Sequence, residues 1–240
     1  MAVAVAAVSV AACGGDDDPS RDLPQGSERV TLDPADFTTR IDNPYLPLRV
    51  GSRWVYRETD TTGARERVVV EVTNKTKKIA NGITARVVRD TVSEKGEPVE
   101  VTDDWFAQDA EGNVWYLGEY VTNYEDGKVV DHAGSFEAGV DGAQPGIAMP
   151  ADPQPGMSYR QEYLAGEAED EGAVVTVGEE QVEVPYGFFK DDVLMTRDRV
   201  PTEPRVQELK FYVRGIGTVL SVHTDGDGGR AELVSFKRGR

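Results

Sequence analysis

Histidine and cysteine are scarce in this sequence, which has two His and one Cys among 240 residues. A single cysteine excludes an intramolecular disulfide, a zinc cluster built on several cysteines and a dithiol redox pair. Basic residues are also few, because 26 Lys and Arg are outnumbered by 43 Asp and Glu and the net charge is −17. Nucleic-acid binding depends on clustered cations, so this class of function is excluded.

The hydrophobic content of 39% is close to that of globular domains and predicts a buried core. The sequence also has 25 Gly and 13 Pro, which suits many short strands joined by turns better than long helices.

The first twelve residues are small or apolar and carry no charge. They are too short to span a bilayer, which needs about 20 residues, and they are typical of the apolar part of a signal peptide. No Lys or Arg precedes Arg21, so we expect either a truncated signal peptide or a start that lies upstream. The polar stretch that follows predicts a flexible linker over residues 13–29.

The order Val10-Ala11-Ala12-Cys13 resembles the lipobox of bacterial lipoproteins. The resemblance implies a diacylglycerol on the Cys13 thiol, loss of residues 1–12 and an exported protein anchored to a membrane of the cell envelope. Two acyl chains, at about 0.8 kcal/mol per buried methylene, give durable anchoring. The alternative is an ordinary free or buried cysteine beside an apolar tail.

Residues 30–240 are predicted to form a single all-β domain with few helices. Short runs of β-branched and aromatic residues are bounded by Gly, Asn-Gly, Asp-Gly and Pro, as in antiparallel strands joined by tight turns. The predicted strands are residues 53–58, 67–73, 83–92, 99–107, 113–124, 128–131, 158–163, 173–177, 193–199, 206–214, 218–224 and 230–236.

Shifted by 105 residues, the sequence matches itself without a gap, as where Gly51 falls on Gly156. We predict two related β-meanders, residues 49–119 and 154–224, separated by an insertion over residues 120–153 that holds a hairpin and a Gly/Pro-rich loop. Such meanders can close into a barrel, curl into a half-barrel or stack as a sandwich. We favour one continuous, strongly curled antiparallel sheet, because neither meander alone is large enough for a good core.

The segment Asn43 to Tyr56, NPYLPLRVGSRWVY, resembles the opening motif of a family of uncharacterised bacterial exported proteins and lipoproteins. The resemblance covers most of residues 42–222 and implies a location in the cell envelope, but it implies no activity or ligand. Pro44 and Pro47 hold their neighbours extended, so the motif can seal one end of the sheet as a plug. The alternative is a lid over a ligand cavity.

Hydrolytic chemistry needs a nucleophile, a base and an orienting group that converge in space. His132 lies three residues before Ser135, which is weak evidence for a catalytic pair, and His223 is expected to be exposed at a strand end. The sequence has no Gly-x-Ser-x-Gly elbow, His-Glu-x-x-His helix or Walker-type loop. We predict a protein that is not an enzyme and uses no cofactor; the alternative is a hydrolase that uses His132.

Two acidic stretches are candidate metal sites. Glu167 and residues 169–171 are expected to form a solvated, charged loop. Residues 225–229 have the first spacing of a calcium loop, but Phe236 occupies the position where a bidentate Glu is required. We therefore predict no metal site.

Six aromatic residues lie in three pairs on the predicted strands. The pairs are Trp54 with Tyr56, Trp105 with Phe106, and Trp115 with Tyr116. Adjacent side chains of a strand point to opposite faces, so one residue of each adjacent pair faces outward or lines a cavity.

These six residues are therefore candidate ligand-binding residues, for a hydrophobic small molecule or a lipid held in a cavity of the sheet. The alternative is that the aromatic side chains fill the core. The protein would then act in protein–protein interaction or structure in the envelope, through an exposed edge strand or the loop at residues 132–153.

Overall fold

The computed structural model of the protein describes residues 19–20, 22–63, 65–205, 207–224 and 228–240. Cys13, the predicted signal peptide and residues 225–227 of the acidic loop lie outside the described residues. A short 3₁₀ helix, Pro34–Asp36, precedes the strands. In chain order the strands are β1 (Arg53–Asp60), β2 (Arg65–Lys78), β3 (Thr84–Glu94), β4 (Glu97–Gln108), β5 (Val114–Glu125), β6 (Lys128–Asp131), β7 (Phe136–Glu137), β8 (Gln144–Met149), β9 (Ser158–Leu164), β10 (Ala168–Val177), β11 (Val182–Val184), β12 (Gly187–Phe189), β13 (Val193–Arg199), β14 (Gln207–Val213), β15 (Gly217–His223) and β16 (Gly229–Lys237).

Twelve of these strands form a closed antiparallel barrel. The barrel follows chain order through β1, β2, β3, β4, β5, β8, β9, β10, β13, β14, β15 and β16, and the pairing of β16 with β1 closes it. The predicted all-β fold with a curled antiparallel sheet is confirmed, and of the three expected forms it is the barrel. Closure pairs both edges of every wall strand over part of its length, so the wall offers little free edge to other chains.

The remaining four strands lie outside the barrel order. β6 and β7 pair with β5, while β11 and β12 form a separate hairpin. β8 belongs to the barrel although its residues were predicted to be a Gly/Pro-rich loop. It contains Pro145 and Gly146, which are unfavourable in strands, so its extended form depends on its neighbours in the barrel.

The strands recur at the predicted spacing. A shift of 105 residues places β1 to β5 on β9, β10, β13, β14 and β15, in that order. Each run of five strands is followed by one more barrel strand, β8 or β16, which pairs with the first strand of the other run. The duplication itself stays a prediction.

Residues 37–52 cover one end of the barrel as a plug. Three apolar side chains of the plug are buried: Ile41, Tyr45 and Leu48. The side-chain amide of Asn43 donates hydrogen bonds to the carbonyl oxygens of Gly112 (3.1 Å) and Pro150 (3.0 Å). Gly112 lies just before β5 and Pro150 just after β8, and these two strands are neighbours in the wall. The opening motif is therefore held at this end by its own buried polar residue.

A second segment, residues 22–28, covers the wall where β8 and β9 separate, since only two residue pairs join these strands. The Arg160 guanidinium, 1% exposed, donates hydrogen bonds to the carbonyl oxygens of Pro145 (2.8 Å), Gly26 (2.7 Å) and Glu28 (2.7 Å). A buried cation needs such partners. These residues were predicted to belong to a flexible linker, and the structure instead places them against the barrel.

Candidate functional site

A cavity of about 370 Å³ lies inside the barrel beneath the plug. Its lining combines apolar, aromatic and ionisable side chains from the plug and seven strands. The lining residues are Leu46, Asp104, Phe106, Tyr116, Glu119, Ala148, Gln161, Glu162, Asp170, Lys210, Tyr212 and Thr218. A smaller cavity of about 210 Å³ shares Lys210 and Thr218 with the first and adds Tyr56, Glu58 and Asp90 to the lumen.

A β-bulge in β5 places two of its side chains on the cavity face. Tyr116 pairs with Phe106 and Glu119 pairs with Asp104, so β5 has one residue more than β4 between these pairs. In a regular strand Tyr116 and Glu119 would point to opposite faces, and the bulge brings them together. Gly118 lies in the bulge with φ of 124°, and a Cβ atom there would collide with the backbone of β7.

The carboxyl groups of the lumen have raised pKa values. Burial raises the pKa of Asp90, Asp104 and Glu119 to about 7 in each case, and repulsion from neighbouring carboxylates adds to the effect. Burial also raises the pKa of Glu162 and of Asp170, and these two carboxyl groups are hydrogen-bonded to each other. Near neutral pH, therefore, part of this acidic lining is protonated.

Lys210 lies among these carboxyl groups, with Nζ 2.7 Å from Asp198 Oδ2 and 3.1 Å from Glu208 Oε2. Burial alone would lower the pKa of Lys210, but the two carboxylates outweigh it and raise the pKa well above its usual value. His223 was predicted to be exposed. The structure shows it half-buried, with Nε2 3.8 Å from Glu58 Oε1 and 3.9 Å from Glu208 Oε1, because β15 carries its side chain toward this cluster.

The six aromatic candidates do not form one site. Tyr56, Phe106 and Tyr116 line the two cavities. The Tyr116 hydroxyl donates a hydrogen bond to Asp104 Oδ1 (2.9 Å), so this ring has a fixed position in the lining. The Tyr56 hydroxyl donates to the carbonyl oxygen of Thr218 (2.9 Å).

The three tryptophans pack elsewhere. Trp54 stacks on Phe236 at 5.2 Å between ring centroids. Trp105 lies beneath Lys77, whose Nζ is 4.4 Å from the ring centroid. Trp115 donates a hydrogen bond from Nε1 to Asp109 (2.7 Å), the residue that organises the turn after β4. The adjacent pairs thus divide as strand geometry requires, with Phe106 and Tyr116 on the cavity face and their tryptophan neighbours on the other face.

The ionisable residues that line the cavity were not predicted from the sequence. Asp170 was assigned to a solvated loop, whereas β10 begins at Ala168 and carries the Asp170 side chain into the cavity. The sequence did contain a pattern that indicates a polar face: Glu208, Lys210 and Tyr212 occupy alternate positions of β14 and therefore lie on one face of the strand. In this barrel that face is turned toward the lumen, where Lys210 and Tyr212 line the cavity.

His132 and Ser135 do not pair with each other as the hydrolase alternative requires. The His132 ring is exposed, stacks on Tyr120 at 4.7 Å and has Nδ1 2.7 Å from the carbonyl oxygen of Val121. Ser135 Oγ accepts a hydrogen bond from the backbone N–H of Val121 (2.9 Å). Both side chains therefore hold the hairpin against β5.

Among the residues that the structure describes, no group of three or more His, Cys, Asp or Glu side chains is arranged to hold a metal ion. Nor does this part of the chain include a helix with the length and apolar character needed to cross a membrane.

Comparison with protein-family models and with curated proteins finds no match. Among solved structures, a candidate exported protein with a YmcC-like fold from Bacteroides fragilis is 16% identical with a TM-score of 0.43, over 82% of this chain and 100% of that chain. A candidate lipoprotein from Parabacteroides distasonis is 14% identical with a TM-score of 0.43, over 82% and 100%. A β-barrel-like protein of unknown function from Brucella abortus is 17% identical with a TM-score of 0.34, over 79% and 98%.

Proposed function

We propose that the protein binds a small amphipathic molecule in the barrel lumen. The observation that carries the proposal is the cavity of about 370 Å³, whose size is that of a small-molecule site. A hydrophobic ligand or lipid was expected from the aromatic residues alone. The lining favours a ligand with both an apolar part, which would contact Leu46 and Phe106, and a polar part, which would face the carboxyl groups.

A cationic amine is the polar group that the lining favours. Asp104 and Glu119 pair with each other across β4 and β5, and burial keeps part of this pair protonated near neutral pH. A bound cation would favour the carboxylate forms and would release protons on binding. Lys210 is already paired with two other carboxylates, so it does not neutralise Asp104 and Glu119, which can pair with a bound cation. The nearby Phe106 and Tyr116 rings can also contact a cation through their faces.

We also propose that the protein is exported and tethered to a membrane of the cell envelope through Cys13. The lipobox-like order of residues 10–13 supports this. The described chain meets the barrel near the plug, where Ser20 Oγ accepts a hydrogen bond from Ser158 N (2.8 Å) and Gln25 Nε2 donates one to Ser158 O (2.7 Å). A tether would therefore leave the barrel on the same side as the plug.

The ligand class is tested by calorimetry with two probes that share an indole ring, tryptamine and tryptophol. Tryptamine carries an amine and tryptophol a hydroxyl, so we expect tryptamine to bind at least about tenfold more tightly to the Cys13→Ser chain. The Glu119→Gln variant should lose this preference, while Glu179→Gln, at an exposed position, should keep it. Equal affinity for the two probes would contradict the cationic part of the proposal.

The alternative function is binding of an envelope protein through an edge strand. The observation that favours it is β6, which pairs with β5 on one side only and leaves Val129 and Val130 54% and 52% exposed. Such an edge can accept a strand from a partner. Pull-down from envelope extracts with the Val130→Lys variant as control tests it, since a partner that binds by strand addition should be lost from the variant.

A further inference from the structure

A second cleft, of about 290 Å³, lies between the plug and β3. Four arginine side chains line it: Arg40, Arg49, Arg86 and Arg240. Asp42 is the one acidic side chain of its lining. The chain as a whole has a net charge of −17, whereas the side chains around this cleft are predominantly positive.

Arg86 is oriented by uncharged acceptors. Its guanidinium donates hydrogen bonds to the carbonyl oxygen of Thr39 (3.3 Å), to Thr39 Oγ1 (3.2 Å) and to the carbonyl oxygen of Lys75 (3.2 Å). These bonds fix the side chain, and among the described residues no carboxylate forms an ion pair with Arg86. Burial lowers the pKa of Arg86, but an arginine stays protonated in a protein.

The other arginines are no better neutralised. Arg40 Nε lies 3.4 Å from Asp42 Oδ2, but the Arg40 side chain is 85% exposed, and such a pair contributes little. Within the described part of the chain, neither Arg49 nor Arg240 forms an ion pair with a carboxylate side chain, although Arg240, the last residue of this sequence, also carries an α-carboxylate.

We propose that this cleft binds a phosphate group. Arginine guanidinium groups match phosphate oxygens through paired hydrogen bonds, and a cluster of them suits an anionic phosphate, whether a monoester with close to two negative charges or a diester with one. The phosphate could belong to a soluble molecule or to an anionic lipid headgroup, and the chemistry of recognition is the same. The proposal does not depend on the lumen or on its ligand.

The test measures binding of the Cys13→Ser chain to inorganic phosphate by calorimetry and to vesicles by co-sedimentation. Vesicles of phosphatidylcholine with phosphatidylglycerol are compared with vesicles of phosphatidylcholine alone. The variant is Arg40→Gln/Arg49→Gln, which removes two charges from the cleft and leaves the hydrogen bonds of Arg86 in place. The control is Arg57→Gln, which removes an outer-wall charge paired with Glu232 at 2.7 Å.

We expect the double variant to weaken binding at least about tenfold and the control to leave it within about twofold, with unchanged melting temperatures. Binding of phosphate without vesicles would identify a soluble ligand. Selective binding of anionic vesicles would identify a lipid headgroup. The proposal is overturned if neither probe binds, or if Arg57→Gln weakens binding as much as the double variant.

Discussion

Glu162 of β9 and Asp170 of β10 face each other inside the barrel, and their carboxyl groups are hydrogen-bonded to each other. Two such groups in a low-dielectric site cannot both ionise without strong repulsion, so the pair retains a proton above the usual carboxyl range. Asp104 and Glu119 form a similar cross-strand pair. The lumen therefore holds less negative charge near neutral pH than its residues alone indicate.

The first prediction is that the barrel is more stable at about pH 5.5 than at about pH 8.5. Between the usual carboxyl pKa and the raised values of about 7 for Asp90, Asp104 and Glu119, the folded state binds more protons than the unfolded chain. The free energy of unfolding therefore falls as pH rises through this window. The lowered pKa of Glu208 makes the free energy of unfolding rise with pH, but only at pH values below this window.

We expect the free energy of unfolding to be about 2 kcal/mol higher at the lower pH. The difference is no larger because water reaches these half-buried groups and screens their charges. It corresponds to a melting temperature several degrees higher at the lower pH. Thermal unfolding followed by circular dichroism measures it. A melting temperature that is equal or higher at the upper pH would show that these carboxyl groups are not perturbed.

The second prediction concerns the carboxyl pair itself. Glu162→Gln removes one member and keeps a hydrogen-bond donor for Asp170, so the variant should be more stable than the parent at about pH 8.5 and less dependent on pH. Glu179→Gln, at an exposed position, should follow the parent curve. Parallel curves for the parent and Glu162→Gln would contradict the assignment.

The third prediction is that Gly118→Ala destabilises the barrel by more than about 2 kcal/mol. Its Cβ atom would collide with the backbone of β7, and the bulge that aligns Tyr116 with Glu119 would have to shift. Gly127→Ala is the matched control, since Gly127 also has a positive φ, 70°, but nothing lies within 4 Å of its Cβ position. Denaturant unfolding of both variants separates the effect of the collision from the cost of placing alanine at a positive φ. Similar losses of unfolding free energy in the two variants would exclude the collision.

The fourth prediction is that Arg160→Met destabilises the protein by about 3 kcal/mol, because buried carbonyl oxygens lose their donors. Residues 22–28 should also lose protection in hydrogen exchange, since the guanidinium binds two of their carbonyl groups. Arg57→Met on the outer wall serves as the control. Unchanged exchange in residues 22–28 would show that another contact holds this segment.

Most of the wall strands could be predicted from sequence, because short runs of β-branched and aromatic residues are bounded by turn residues. β13 matches its predicted bounds, residues 193–199, since Val193, Leu194 and Thr196 are buried in an uninterrupted β-branched and apolar run. β8 could not be predicted, because Pro145 and Gly146 oppose strand formation locally. Gly146 is required for another reason: a Cβ atom there would collide with the backbone of β9.

The candidate site could be predicted only in part. Phe106 and Tyr116 were identified because aromatic residues stand out in a strand and line cavities in many proteins. Asp170, Glu162 and Lys210 were not, because a charged side chain in a strand usually faces solvent. Which face becomes the lumen depends on closure of the barrel by β16 and β1, a contact between residues far apart in sequence.

The central claim, that the lumen holds a small molecule, is tested most directly by native mass spectrometry of the Cys13→Ser chain purified from bacterial cells, followed by solvent extraction. We expect a bound molecule at about one per chain, with an amine and an apolar part, and its loss from the Phe106→Ala/Glu119→Gln variant. A ligand-free mass that stays unchanged after incubation with a bacterial small-molecule and lipid extract would contradict the claim and favour binding of a protein through the β6 edge.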